Sequence, residues 1–259
     1  MKHRNQVLIF ILFFPVLFVC SQESKKLSLG FEFGSDFVKG DMNDKWNVRQ
    51  EVGTNYYDYL FDNTENTLNT NMSIRYFGIK PEFLLAKDRF SIGSGLRFSR
   101  INSSLTKNSS TDNAYFILLY NQTGLTSEYA KIKKINQDND YLGVPFEITY
   151  YPLKYELISI YARIGTELNF KLKSNTDIQF LNQNMETYQQ IILNKVGVTS
   201  NSIYSTFYSS IGFQYGKVNE VKYNFDILLP SRILTKNNSS LINSTEFSGF
   251  QLSVQVPIK

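Results

Sequence analysis

Apolar residues fall on every second position through about eight segments of this chain, and a period of two admits few folds. Ile158, Ile160, Ala162, Ile164, Thr166, Leu168, Phe170 and Leu172 interleave with Ser159, Tyr161, Arg163, Gly165, Glu167, Asn169 and Lys171. Successive side chains of a strand point to opposite faces, so this segment has one apolar and one hydrophilic side. Strands of this kind are expected at 27–37, 73–85, 90–100, 141–151, 158–172, 202–216, 221–230 and 247–258. Short turns alternate with long polar connections, at about 38–72, 102–140, 173–201 and 231–246. The pattern is that of an all-β fold, an eight-stranded antiparallel up-and-down transmembrane β-barrel with the long connections at one end. Within the second connection, the apolar patch Tyr115 to Tyr120 reads either as a strand extension or as a loop packed on itself.

Alternation leaves open which face is inside. A soluble ligand-binding barrel alternates too, with the apolar set inward. Two features favour the membrane orientation. The polar set is mostly Gly, Ser, Thr, Asn, Gln and Tyr, poorer in charge than a soluble surface. The apolar set is nearly free of charge through mid-strand, where an Arg or Lys facing lipid costs about 2–4 kcal/mol. Arg75 and Arg100 lie at outer strand ends, where anionic headgroups could meet them. Aromatics gather at both strand ends: Phe83, Phe90, Tyr150, Tyr215 and Tyr223 at one rim, Phe33, Phe77, Phe98, Phe170 and Phe250 at the other. Unpaired edges are costly in hydrocarbon, so residues 27–37 should lie antiparallel to 247–258.

Lys2, His3 and Arg4 precede an apolar run from Val7 to Phe18, too short to span a bilayer as a helix. A signal peptide is expected over 1–21, cut between Ser21 and Gln22, leaving a barrel domain over 22–259. A competing reading lipidates Cys20, but bulky Val19 fits that motif poorly. Cleavage would remove the one Cys and the one His, and with Lys2 and Arg4 would lower the net charge from +4 to +2. A chain without Cys or His has no disulfides and lacks the commonest general base and metal ligand. Ser–His lipid hydrolysis is thereby disfavoured.

The inward set includes Glu32, Lys80, Glu82, Arg97, Glu147, Arg163, Glu167, Lys171, Lys222 and Asp226. Eight strands enclose a space that side chains just fill, and buried charges there should pair. A salt-bridged plug is the first reading and a narrow ion path the second. Glu32 and Glu82 could in principle act as an acid–base pair, but nothing fixes their separation. The N-x-S/T triplets at Asn71, Asn102, Asn108, Asn121, Asn237, Asn238 and Asn243 are ordinary for polar loops. Trp46 with Tyr56, Tyr57 and Tyr59 forms a candidate binding patch in the first connection, self-packing being the plainer account. No catalytic group, metal site, cofactor or nucleic-acid partner is expected.

The segment Tyr141-Leu142-Gly143-Val144-Pro145-Phe146-Glu147-Ile148, the strand pair Gly78 to Ser99 and the strand Tyr161 to Leu172 resemble the outer-membrane protein β-barrel domain family. Its members are the porin-like and PorT-like proteins of Bacteroidetes-type bacteria, and Gln22 resembles the first residue of their exported chains. The resemblance implies an outer-membrane location in a Gram-negative-type cell and, for a few relatives, an accessory part in secretion or gliding machinery. The expectation is a monomeric, non-enzymatic barrel with a plugged lumen, lipid around it, and loops for surface binding or envelope integrity. An extracellular or envelope protein would be the partner of those loops. The alternatives are the secretion accessory, a small ion-conducting porin and the soluble barrel.

Overall fold

The computed structural model describes residues 26–49, 68–85, 89–107, 114–123, 126–217, 219–235 and 238–258. The expected signal peptide and its Ser21–Gln22 cut lie outside them, as do Cys20, Tyr56, Tyr57 and Tyr59. The elements are β1 (Lys26–Met42), β2 (Val48–Arg49), β3 (Leu68–Leu85), β4 (Phe90–Ser94), β5 (Leu96–Lys107), β6 (Phe116–Thr123), β7 (Thr126–Lys154) and β8 (Ile158–Phe180). A 3-10 turn (Gln183–Tyr188), helix α1 (Gln189–Val196), β9 (Ile203–Tyr215), β10 (Lys222–Ile233) and β11 (Ile242–Ile258) complete the chain.

Eight antiparallel staves close into a ring, β1, β3, β4 with β5, β7, β8, β9, β10 and β11, each bonded to the next. Closure runs from Leu27 opposite Ile258 up to Val38 opposite Phe247, so both ends of the described barrel share one rim. The β4–β5 stave breaks at Gly95 without losing register: Gly93 faces Glu82 on one side of the break and Leu96 faces Ile79 on the other. A Cβ at Gly95 would sit 2.1 Å from the Ile79 carbonyl oxygen.

The wall is apolar outside and polar inside. Phe33, Phe77, Ile79, Leu96, Ile148, Ile164, Leu168, Ile211, Phe225, Ile227 and Leu252 are exposed, while Glu32, Lys80, Arg97, Glu147, Arg163 and Asp226 are buried. The soluble-barrel alternative requires the opposite arrangement. So broad an exposed apolar belt is stable where lipid covers it, and the closed ring leaves no free strand edge to face hydrocarbon. Aromatic pairs stand at both rims, Phe90 with Tyr150 (4.9 Å between centroids) and Phe77 with Phe98 (5.4 Å). Inside, glycines make room for large neighbours. Tyr208 lies over Gly165 and Tyr161 over Gly212, where a Cβ would meet ring atoms at 2.6 and 2.1 Å.

Above the belt the staves continue, contrary to the expectation of long loops from 38, 102, 173 and 231. β1 reaches Met42, β5 Lys107, β8 Phe180 and β10 Ile233, while β3, β7 and β11 begin at Leu68, Thr126 and Ile242. In this upper storey the polarity of the inward face inverts. Met72, Ile74, Ile101, Leu105, Ile132, Ile135, Ile178 and Phe247 are buried there, with Asn71, Asp138, Asn175 and Asp177 facing out. Water rather than lipid surrounds such a wall, so its interior must be the apolar side. Each Ile or Phe buried this way contributes about 1.5–3 kcal/mol.

The patch at Tyr115 to Tyr120 belongs to this storey as β6, a strand extension that buries Phe116 and Leu118 and pairs with β7. Helix α1 covers it through Ile192. Gly197 ends the helix at φ 64°, a left-handed conformation that favours glycine, and its N–H donates to the Leu193 carbonyl at 3.0 Å. Gln189, the first residue of α1, occupies the free edge of upper β8. Its Oε1 accepts from Ile178 N (3.2 Å) and its Nε2 donates to Thr176 O (3.4 Å), as a neighbouring strand would.

Candidate functional site

The lumen at belt level is filled by a single network of charges and phenols. Arg97, inward from β5, donates through Nε to Glu32 Oε1 (2.7 Å) and through Nη1 to Glu167 Oε2 (2.5 Å), and approaches Glu147 at 3.4 Å. Its guanidinium also lies 4.4 Å from the Tyr76 ring centroid, adding a cation–π contact. Lys80 bridges Glu32 (3.1 Å) and Glu147. Arg163 reaches Asp226 at 3.2 Å and Glu147 at 3.5 Å. Tyrosines from the facing wall complete the carboxylates, Tyr208 donating to Glu147 (2.6 Å) and Tyr161 to Asp226 (2.8 Å). Glu82, nearer the terminal rim, accepts from Ser91, from Gln255 and from the Tyr151 hydroxyl at 3.2 Å.

The residues singled out from sequence do not all join one cluster. Glu32, Lys80, Arg97, Glu147, Arg163, Glu167 and Asp226 share contiguous ion pairs. Glu82 sits below them, and Lys222 is buried on β10 opposite Gln255. Lys171 stands apart. It is half-buried at the top of the belt and donates to the Ser200 carbonyl at 2.6 Å instead of to an acid. Asp36, absent from the sequence reading, is buried on β1 two positions beyond Gly34, and its Oδ1 has no hydrogen-bond partner among the described residues. Continuing the inward count of β1 by one more position would have found it. Among the described residues the buried charges are thus six carboxylates (Glu32, Asp36, Glu82, Glu147, Glu167, Asp226) against four cations (Lys80, Arg97, Arg163, Lys222).

A roof covers this network. In the connection from β10 to β11, expected as an outward polar loop, Asn238, Ser239, Ser240 and Leu241 are instead fully buried. Inward side chains of β7 hold it. Gln137 Oε1 accepts from Ser240 N (2.8 Å) and Ser239 Oγ (2.9 Å), and the Tyr141 hydroxyl lies 3.0 Å from Asn238 O. From the other wall, Ser103 Oγ meets Ser239 Oγ at 2.8 Å, and Asn43 N donates to Leu241 O at 2.8 Å. Trp46, 1% exposed, donates its indole N–H to Ser240 O at 2.8 Å. Trp46, a candidate for a binding patch with self-packing as the plainer account, is a buried pillar of the roof, while Tyr56, Tyr57 and Tyr59 lie outside the described residues. Paired backbone and side-chain groups offset most of the cost of burying so polar a segment, Asn238 Nδ2 alone in it being left without a partner among the described residues.

No known family model and no characterised protein matches the sequence. Among solved structures, the chain is similar to Ail, the attachment invasion locus protein of Yersinia pestis, solved with the heparin analogue sucrose octasulfate. The identity is 9% over 91% of this chain and 100% of that one, with a TM-score of 0.39. OprG of Pseudomonas aeruginosa shares 13% identity over 90% of this chain and 94% of its own, with a TM-score of 0.37. A major outer membrane protein of Thermus thermophilus shares 8% over 91% and 100%, with a TM-score of 0.32. At such values none of these likenesses says what this chain does.

Proposed function

We propose that this chain is a closed outer-membrane barrel that conducts nothing and works through its outward storey, in surface contact or envelope integrity. One observation carries the reading: the lumen is occupied at two levels, by the ion-paired network around Arg97 and by the buried segment Asn238–Leu241 above it. A water-filled path would leave these charges hydrated and mobile. Here each is desolvated and paired, Glu167 through Arg97 and the others through two or more partners, so moving any of them exposes a buried charge. Export by the signal peptide over 1–21 and kinship to the porin-like, PorT-like barrels complete the proposal, resting on the residues quoted for them above. The wall faces lipid, and the protein partner meets the upper storey.

The test is membrane fractionation with gel mobility before and after boiling, followed by planar-bilayer recording. A detergent-extracted band that shifts only on boiling, with no steady conductance, is the expected result. Recovery without detergent would overturn the membrane assignment, and a reproducible conductance would overturn the closed lumen.

A further inference from the structure

Two rows of outward side chains run across four adjacent staves at the top of the belt. The lower row is Phe77, Phe98, Leu142 and Phe170, each directly opposite the next in the strand register. The upper row, one outward position higher, is Arg75, Arg100, Asp140 and Lys173, paired in the same order. Arg75 faces Arg100 directly, a cross-strand placement of like charges that is destabilising unless an anion lies between them. Arg100 spends Nε and Nη2 on Asp140 (2.7 and 3.0 Å), which leaves Nη1 uncommitted among the described residues. Arg75 is exposed and has no hydrogen bond or ion pair among them. The arc carries three cations against one carboxylate, directly above an unbroken greasy strip.

We infer that Arg75 and Arg100 form a binding site for the phosphate of an outer-leaflet lipid whose acyl chains lie along Phe77 and Phe98. A phosphate accepts from both guanidinia at once, relieves their repulsion, and sits at the level where the aromatic pair ends. Charge alone would suit any anion, but the apolar row directly beneath selects one that carries hydrocarbon. Arg232, another exposed rim cation, approaches Glu246 at 4.0 Å and does not adjoin this arc. It serves as the comparison.

The inference rests on the membrane reading above, and the experiment separates the two. The full chain is folded in phosphatidylcholine nanodiscs containing a small fraction of either a phosphorylated or a dephosphorylated acylated disaccharide lipid, and co-purified lipid is counted by native mass spectrometry. Retention of the phosphorylated lipid over its dephosphorylated form is expected. Arg75→Gln with Arg100→Gln should lower that retention roughly thirtyfold, at about 1 kcal/mol per surface cation. Arg232→Gln should leave it unchanged. Equal retention of both lipids, or no effect of the double variant in a barrel that still shifts on boiling, would overturn the site and leave the membrane reading intact. Displacement of the lipid by millimolar inorganic phosphate would assign a soluble anion instead and overturn the lipid.

Discussion

Replacing Arg97 with Met tests whether the lumen network holds the barrel together. The guanidinium is buried and makes its closest contacts with Glu32 (2.7 Å) and Glu167 (2.5 Å). After the change Glu32 keeps Lys80 at 3.1 Å, whereas no other cation contacts Glu167 among the described residues. The orphaned charge is therefore chiefly Glu167, in a lumen that already holds more acids than cations. Removing one partner of a buried pair costs about 3–5 kcal/mol, a hundredfold to a few thousandfold in the folding equilibrium. Urea unfolding in phospholipid vesicles, followed by the single tryptophan, Trp46, and by gel mobility, measures it. Adding Glu167→Gln in the Arg97→Met background should return more than half of the loss, because the stranded charge is gone. A loss under about 1 kcal/mol for Arg97→Met, or no recovery with Glu167→Gln, would refute the account of a load shared through Arg97.

Ile164→Arg, at mid-belt on the lipid face, should cost about 2–4 kcal/mol in the same titration, while Asn136→Arg, outward on the upper storey, should stay within about 0.5 kcal/mol. Gly165→Ala places a Cβ 2.6 Å from the Tyr208 ring, whose hydroxyl holds Glu147, and should cost about 1–3 kcal/mol by overpacking. The Glu128 carboxyl on β7 is held below its ordinary range by the hydrogen bond from Lys195 of α1. A lowered folded pKa means the contact contributes above the unfolded value and is lost as pH falls through the folded one. Amide protection factors in α1, relative to intrinsic exchange, should therefore fall at acid pH, and Lys195→Met should abolish that fall.

The staves at belt level were legible because lipid outside and charge inside force strict alternation, as from Ile158 to Phe170. The upper storey was not, for two physical reasons. Its outward residues, Asn102, Asn136, Asp138 and Asn175, have the composition of loops, and its inward apolar residues are spaced by bulges, as where the pairing of β7 with β8 slips between Asp140 and Tyr141. A slip of one residue exchanges the faces, so counting in twos loses the strand there. The roof was illegible for a different reason. Asn238, Ser239 and Ser240 look like surface, and it is partners distant in sequence, among them Gln137, Tyr141, Trp46 and Ser103, that make them interior. Composition names which groups need partners; topology decides where they find them.

Since the staves that rise above the belt change what they hide at nearly one height, the barrel carries its own depth gauge. A slide of two residues, about 7 Å along a strand, would drag Arg75 and Arg100 into hydrocarbon or lift Phe77 and Phe98 into water. Immersion is thus written into the wall, between the tyrosines of the lower rim and the phenylalanines of the upper. A bilayer of another thickness should stretch or thin to meet it, the stiff cylinder holding its span while the softer lipid yields.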